Sequence, residues 1–190
     1  WSESLYESPA VHDERKGNRD AVDGKYVRCV YDVFLLEGGA HRAYSTLWWR
    51  AGRYLDVVVE TAQSPAVIER IVWRETRYPL ELESTLETDD AAFDRVRPLM
   101  FRTLQMCAHE TYMDCPYYEQ LQYAGDTRLE ILATYVATHD DRLPVRAVTL
   151  FDQSRSPDGL TKSRYPSAVP QVIPPFSLWW VSMVYDLFLW

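Results

Sequence analysis

Two periodicities divide the chain. Up to about residue 87, apolar residues recur at every second position in three runs. Val27, Cys29, Tyr31 and Val33 alternate with Arg28, Val30 and Asp32, and Leu55, Val57 and Val59 alternate with Asp56, Val58 and Glu60. Leu80, Leu82 and Leu86 alternate with Glu81, Glu83, Thr85 and Glu87. A period of two gives a strand one apolar and one wet face, so this half is expected to be antiparallel β-structure. Gly38-Gly39 and Ala51-Gly52 are candidate turns. No helix-length periodic segment lies between the runs, which argues against βαβ units.

From residue 88 the period lengthens. Phe93, Val96, Met100, Thr103, Leu104 and Cys107 recur every three or four residues, as one face of a helix ending near His109. Thr88 or Asp89 is a candidate cap, and Pro98 predicts a kink or a later start. A second helix is expected over 126–138, capped by Asp126 or Thr127 and burying Leu129, Leu132, Tyr135 and Val136. A third is expected over about 144–154, with Pro144 in the tolerant first turn. A loop holding Pro157, Pro166, Pro170 and Pro174 leads to a fourth helix opening at Pro175 or Phe176. Prolines this dense favour an ordered segment over a floppy linker. The expected architecture is a β-rich segment followed by an all-α array.

Composition narrows the function. Twenty Lys and Arg against 28 Asp and Glu give a net charge of −8, so a surface that wraps nucleic acid or docks on an anionic membrane is disfavoured. The longest apolar stretch, 176–190, is interrupted by Ser177, Ser182 and Asp186 and falls short of the roughly 20 residues a membrane span needs. Glu3, Glu7 and Asp13 stand where a signal peptide would be basic and then apolar. The chain opens in mid-segment and stops inside an apolar run, as expected of a piece of a longer protein. Thirteen Tyr and seven Trp are a surplus suited to a stacking surface or to a Trp-rich core. Cys29, Cys107 and Cys115 match no zinc spacing, His12, His41, His109 and His139 are scattered, and no EF-hand loop offers calcium a site.

The candidate chemistry lies between the first two helices. Asp114, Glu119 and Asp126 fall within thirteen residues and are interleaved with Tyr117, Tyr118 and Tyr123. Carboxylates that face one another raise at least one pKa, and a carboxylic acid held protonated near neutral pH can act as a general acid. Tyrosines can bind hydroxyls and stack on the C–H faces of a sugar. The same spacing also fits a solvated acidic loop with a helix cap at Asp126. Cys115 has no His inside the motif to activate it and reads as a spacer or buried thiol. Adjacent Trp179 and Trp180 point about 100° apart on a helix, one for the core and one towards a pocket. Arg164 and Tyr165 sit on the proline-rich loop, as anchors or substrate contacts.

The stretch Asp114-Cys115-Pro116-Tyr117-Tyr118-Glu119-Gln120-Leu121-Gln122-Tyr123-Ala124-Gly125-Asp126 resembles the signature of the α-L-rhamnosidases of glycoside hydrolase family 78. Further segments are similar in the same order. They are 16–20 with Gly24-Lys25, Leu47-Trp48-Trp49-Arg50 with Arg53-Tyr54, Ser163-Arg164-Tyr165-Pro166, and Pro175-Phe176-Ser177-Leu178-Trp179-Trp180. Tyr118-Glu119-Gln120 and Tyr123 stand where many members carry an Arg-Asp-Glu-Arg core and a Trp.

The resemblance implies the end of an antiparallel β-sandwich over 1–87, followed over 88–190 by the first helical hairpins of an incomplete (α/α)6 barrel. It implies inverting removal of terminal α-L-rhamnose from a glycan or glycoside, which needs no cofactor and no metal. By the same resemblance Glu119 is the general acid, and Asp114 and Asp126 bind sugar hydroxyls. Tyr118, Tyr123 and Trp180 line the substrate site. The general base, a Glu in the family, is expected in the remainder of the polypeptide, so this segment alone is expected to bind at best. Two alternatives stand beside this reading: a non-catalytic carbohydrate-binding module, and another (α/α)6 glycosidase or lyase with a similar acidic loop.

Overall fold

Where alternation predicts long strands, backbone pairing is confined to short pieces. The computed structural model describes all 190 residues and divides into two compact units, Trp1–Arg74 and Glu75–Trp190. In the first unit a single two-stranded antiparallel sheet joins β1 (Leu5–Tyr6) to β2 (Tyr26–Val27), with Leu5 opposite Val27 and Tyr6 opposite Tyr26. Ser2 and Tyr54 form an isolated bridge. Past Val27, which pairs in β2, the expected run over 28–33 and the run over 55–60 form no ladder, and Val33, Leu35 and Val58 are 71%, 81% and 74% exposed. The run over 80–87 also forms no strand. The β-sandwich end expected over 1–87 is thus not confirmed: the alternation is present, but within these residues only the two-stranded sheet and the Ser2–Tyr54 bridge form ladder pairs.

Polar side chains organise this unit instead. Arg28 donates to the carbonyls of Ser8, Val11 and Asp13 at 2.5–3.1 Å, and its guanidinium lies 4.1 Å from the Tyr6 ring centre. Arg50 holds Asp32 through two bonds of 2.8 and 3.0 Å. Gly17 has a φ of +58°, and a Cβ there would sit 1.7 Å from Glu7 Oε1, the oxygen that Lys25 binds at 2.5 Å.

The second unit consists of α1 (Ala91–Met106), α2 (Ala124–Ala137), α3 (Arg142–Gln153) and α4 (Pro174–Leu189). Asp90, one residue later than expected, caps α1 by accepting the Ala92 N–H at 2.8 Å. Pro98 lies inside α1, which continues unbroken through it. Only the end of that helix reaches the core, at Leu104, while Val96 and Met100 are exposed. The core gathers Leu104, Ala108, Tyr112, Ala124, Ile131, Leu143, Ala147, Phe151 and Met183, with Leu80 laid in from the preceding extended segment. Tyr78 fastens that segment, donating its hydroxyl to Asp140 at 2.9 Å. None of the helices is long and apolar enough to cross a membrane.

α2 departs from expectation twice. It begins at Ala124, with Tyr123 in the cap position and no side-chain cap bond, so Asp126 lies inside the first turn. Its buried stripe is Ala124, Thr127, Ile131 and Thr134, whereas Leu129 and Val136 are 60% and 63% exposed. The buried face is the one lined by the smaller residues, which admit close approach of neighbouring helices, and the larger Leu129 and Val136 stay outside. Gly125 shows how close that packing is. A Cβ there would lie 2.7 Å from Cζ of Phe176 at the start of α4.

Candidate active site

The segment between α1 and α2 is tied at both ends. Met113 N–H donates to the Cys107 carbonyl at 2.8 Å. Asp114 N–H donates to the Leu121 carbonyl, while Leu121 N–H donates to Asp114 Oδ1, both at 3.0 Å. This double tie closes a loop that carries Glu119 on its outer part. Inside the loop, Cys115 Sγ accepts the Glu119 N–H at 3.2 Å, and Gln120, at a φ of +54°, donates its side-chain amide to the Pro116 carbonyl at 2.9 Å. The Cys115 thiol thus acts as a spacer with an acceptor atom.

A second segment lies along the exit of the loop. Tyr123 and Arg164 form an antiparallel bridge. Ala124 N–H donates to the Ser163 carbonyl at 2.8 Å, Tyr165 N–H to the Gln122 carbonyl at 3.1 Å, and the Gln122 side-chain amide to the Tyr165 carbonyl at 2.7 Å. This pairing supplies one of the N–H partners that the uncapped start of α2 otherwise lacks. Tyr123 is also held edge-on by Phe176, with ring centres 6.5 Å apart, and its hydroxyl accepts from Arg164 Nη1 at 2.8 Å.

The structure brings Asp114, Glu119, Tyr123 and Asp126 into one electrostatic group. Glu119 is exposed, and the Asp114 charge beside it holds its carboxyl above the usual range. Some desolvation, a bond to Asp114 and the Asp126 charge act in the same direction, against a bond from the Tyr123 hydroxyl. Asp126 is raised by burial first and by Asp114 last, against its own backbone N–H. Tyr118 is 63% exposed and meets Tyr117 edge-on with ring centres 4.7 Å apart. Trp180 is engaged elsewhere: its indole N–H donates to the Val148 carbonyl of α3 at 3.1 Å, and the Arg155 guanidinium lies 5.6 Å from its ring centre. Trp179 is covered by Arg128, which also binds Asp186 at 2.8 Å.

Glu130 was not anticipated from the sequence. Burial pushes its carboxyl up to about 9, and the Asp126 and Asp114 charges push the same way against a bond from Met113 N–H. Its Oε2 is buried without a hydrogen-bond partner. The available signal was spacing, since Asp126 and Glu130 are four apart and therefore share a helix face. No three His, Cys, Asp or Glu side chains cluster as metal ligands.

The family model of the bacterial α-L-rhamnosidase six-hairpin glycosidase domain matches residues 81–188, more than half of the chain. The chain belongs to this family. Among solved structures, a glycoside hydrolase family 78 rhamnosidase of Bacillus sp. GL1 is similar, with 27% sequence identity and a TM-score of 0.54. That match covers 58% of this chain and 12% of the other, so it spans a small part of that enzyme's length. A search of curated protein sequences returns no match. The helical unit is accordingly a rhamnosidase-family glycoside hydrolase domain, and the acidic loop between α1 and α2 lies inside the matched region.

Proposed function

We propose that this segment supplies the acid half of an inverting α-L-rhamnosidase site, with Glu119 as the general acid. The observation that carries the reading is the crowding of Glu119 by Asp114 and Asp126, which favours its protonated form. Inversion separates the acid from a second carboxylate by about 6.5–9.5 Å, leaving room for the attacking water. Glu119 gives its proton to the leaving glycosidic oxygen as the C–O bond breaks. The base takes a proton from water attacking the opposite face of the sugar, and in this reading it comes from the remainder of the polypeptide.

Asp114 and Asp126 hold rhamnose hydroxyls and stabilise the positive charge that develops on the ring. Tyr123 borders the sugar, and the exposed Tyr118 offers it an aromatic edge. Trp180, whose N–H is committed to α3, serves as packing. We infer further that α1–α4 are hairpins of an (α/α)6 barrel completed by the same polypeptide. The family match and the small share of the related enzyme that is covered both support this.

The test uses leaving-group dependence in the full-length protein. Glu119→Gln is expected to slow hydrolysis of an alkyl α-L-rhamnoside by about 10²–10⁴-fold. The loss on 4-nitrophenyl α-L-rhamnoside should be much smaller, because nitrophenolate departs with little help from a proton. Equal losses on both substrates would remove Glu119 from the acid role. The first product seen by proton NMR should be β-L-rhamnose.

A further inference from the structure

The residue after Glu119 has an uncommon backbone. Two non-glycine residues adopt a positive φ, His41 at +56° and Gln120 at +54°. Histidine, asparagine and aspartate are enriched in this region, and glutamine is not. Gln120 is held there by its own side chain, whose amide donates to the Pro116 carbonyl at 2.9 Å across the turn over 116–119. The bonds around it leave that turn little freedom. Cys115 Sγ accepts the Glu119 N–H at 3.2 Å. Asp114 and Leu121 are joined by the two bonds of 3.0 Å that close the loop. With 114 and 121 fixed to each other, a rotation at Gln120 cannot pass to the chain beyond. The residues between must absorb it, and Glu119 is the first of them. Glu119 is exposed, so little packing fixes its side chain, and its backbone sets the direction in which the carboxyl leaves the loop.

We propose that Gln120 is a positioning residue: the bond from its side chain to Pro116 holds a left-handed backbone that aims Glu119 at the leaving oxygen. The proposal rests on the reading of Glu119 as the general acid. An acid must come within hydrogen-bond reach of the oxygen it protonates, and a misplacement of about 1 Å costs on the order of 10²-fold. Gln120 transfers no proton itself. It acts through the main chain of its neighbour, and the strain of its φ is sustained by the Pro116 bond and by the closed loop around it.

Three variants of the full-length protein separate the side-chain bond from the backbone conformation. Gln120→Met keeps the length of the side chain and removes the donor. Gln120→Asn suits a positive φ, but its amide is one carbon short of Pro116. Gln120→Gly accepts the same φ without strain and has no side chain. Each is expected to lower kcat on an alkyl α-L-rhamnoside by about 10-fold, less than the loss in Glu119→Gln. KM, and kcat on 4-nitrophenyl α-L-rhamnoside, should stay within about twofold of wild type, because binding and an unassisted departure do not use the aim of the acid. Gln120→Gly should melt no lower than Gln120→Met, since glycine relieves the left-handed strain, yet recover no activity. Hydrogen–deuterium exchange over 115–121, read by mass spectrometry, should quicken in all three.

A loss shared equally by the two substrates, or carried by KM, overturns the proposal, because Gln120 would then hold the whole site together without aiming the acid. So does wild-type kcat on the alkyl substrate in Gln120→Gly, which would make the side-chain bond dispensable. Unchanged exchange over 115–121 in Gln120→Met overturns it without reference to turnover. If Glu119→Gln itself loses both substrates equally while exchange still quickens in Gln120→Met, the proposed function fails and Gln120 is retained as the residue that positions Glu119.

Discussion

The two units obey the same sequence logic with opposite results. In 75–190 the three-to-four-residue period becomes four helices around one core. In 1–74 the two-residue period becomes extended chain with two short paired strands, and Val33, Leu35 and Val58 stay in solvent. A helix satisfies its backbone from within its own segment, whereas a strand depends on a neighbour for every bond. Apolar alternation therefore announces a strand's faces without supplying its partner. The first unit falls back on side-chain ties, chiefly Arg28 to three carbonyls and Arg50 to Asp32.

The sharpest way to break this comparison is to test whether the helical unit has a real core. Ile131 is fully buried in the stripe that α2 turns inward. Ile131→Ala should cost about 3–4 kcal/mol, the lost transfer energy plus the cavity left behind. Urea unfolding followed by tryptophan fluorescence measures it. A cost under about 1 kcal/mol would mean that α2 packs no better than the exposed chain of the first unit.

The helical half was legible because its signals are local. Four helices, their order and the loop that carries Asp114 and Glu119 follow from spacing, although the cap of α1 falls at Asp90 and Asp126 lies inside α2 instead of capping it. What was not legible depended on contacts between segments. Leu129 and Val136 were expected inside, but packing selected Thr127 and Thr134, and the spacing of apolar residues along α2 does not reveal a stripe built partly from threonines. The pairing of Arg164 with Tyr123 joins residues 41 apart and leaves no trace in either local pattern. Glu130 reads as an ordinary exposed helix residue until the neighbours that enclose it are known. The motif itself was visible because it is continuous in sequence; the Arg164 contribution to it is not.

Charge sharpens the contrast between the units. In the first, bonding to Arg50 pulls Asp32 below the usual carboxylate range, so that pair gives stability above the unfolded pKa, lost as pH falls. In the second, Glu130 is raised to about 9. Its neutral form gives stability that is fully present below the unfolded value of about 4.3 and is lost as pH rises towards 9. Glu130→Gln keeps the shape and removes the ionisation. It should raise stability by about 5 kcal/mol at pH 8 and change little at pH 4. Melting temperatures across pH 4–9 for wild type and variant give the difference curve. A variant that gains nothing at alkaline pH would place Glu130 in water, and the two units would then handle their carboxylates alike.

The smallest expected effect is also the strictest test of the first unit. Val58 stands in the alternating run over 55–60, in the register of Asp56 and Glu60, and is 74% exposed. An exposed valine outside any ladder contributes little packing, so Val58→Ala should change stability by less than about 0.5 kcal/mol. Val57→Ala, at a position of the opposite parity that is 50% exposed, should behave nearly the same. A strand packed on one face cannot give that result, because substitutions on its two faces must differ, with the inward one costing about 1 kcal/mol or more. Equal and small losses at 57 and 58 therefore indicate unpaired chain. A marked inequality would mean that the alternation does form a sheet face, and the contrast between helix and strand drawn from these two units would fail at this position first.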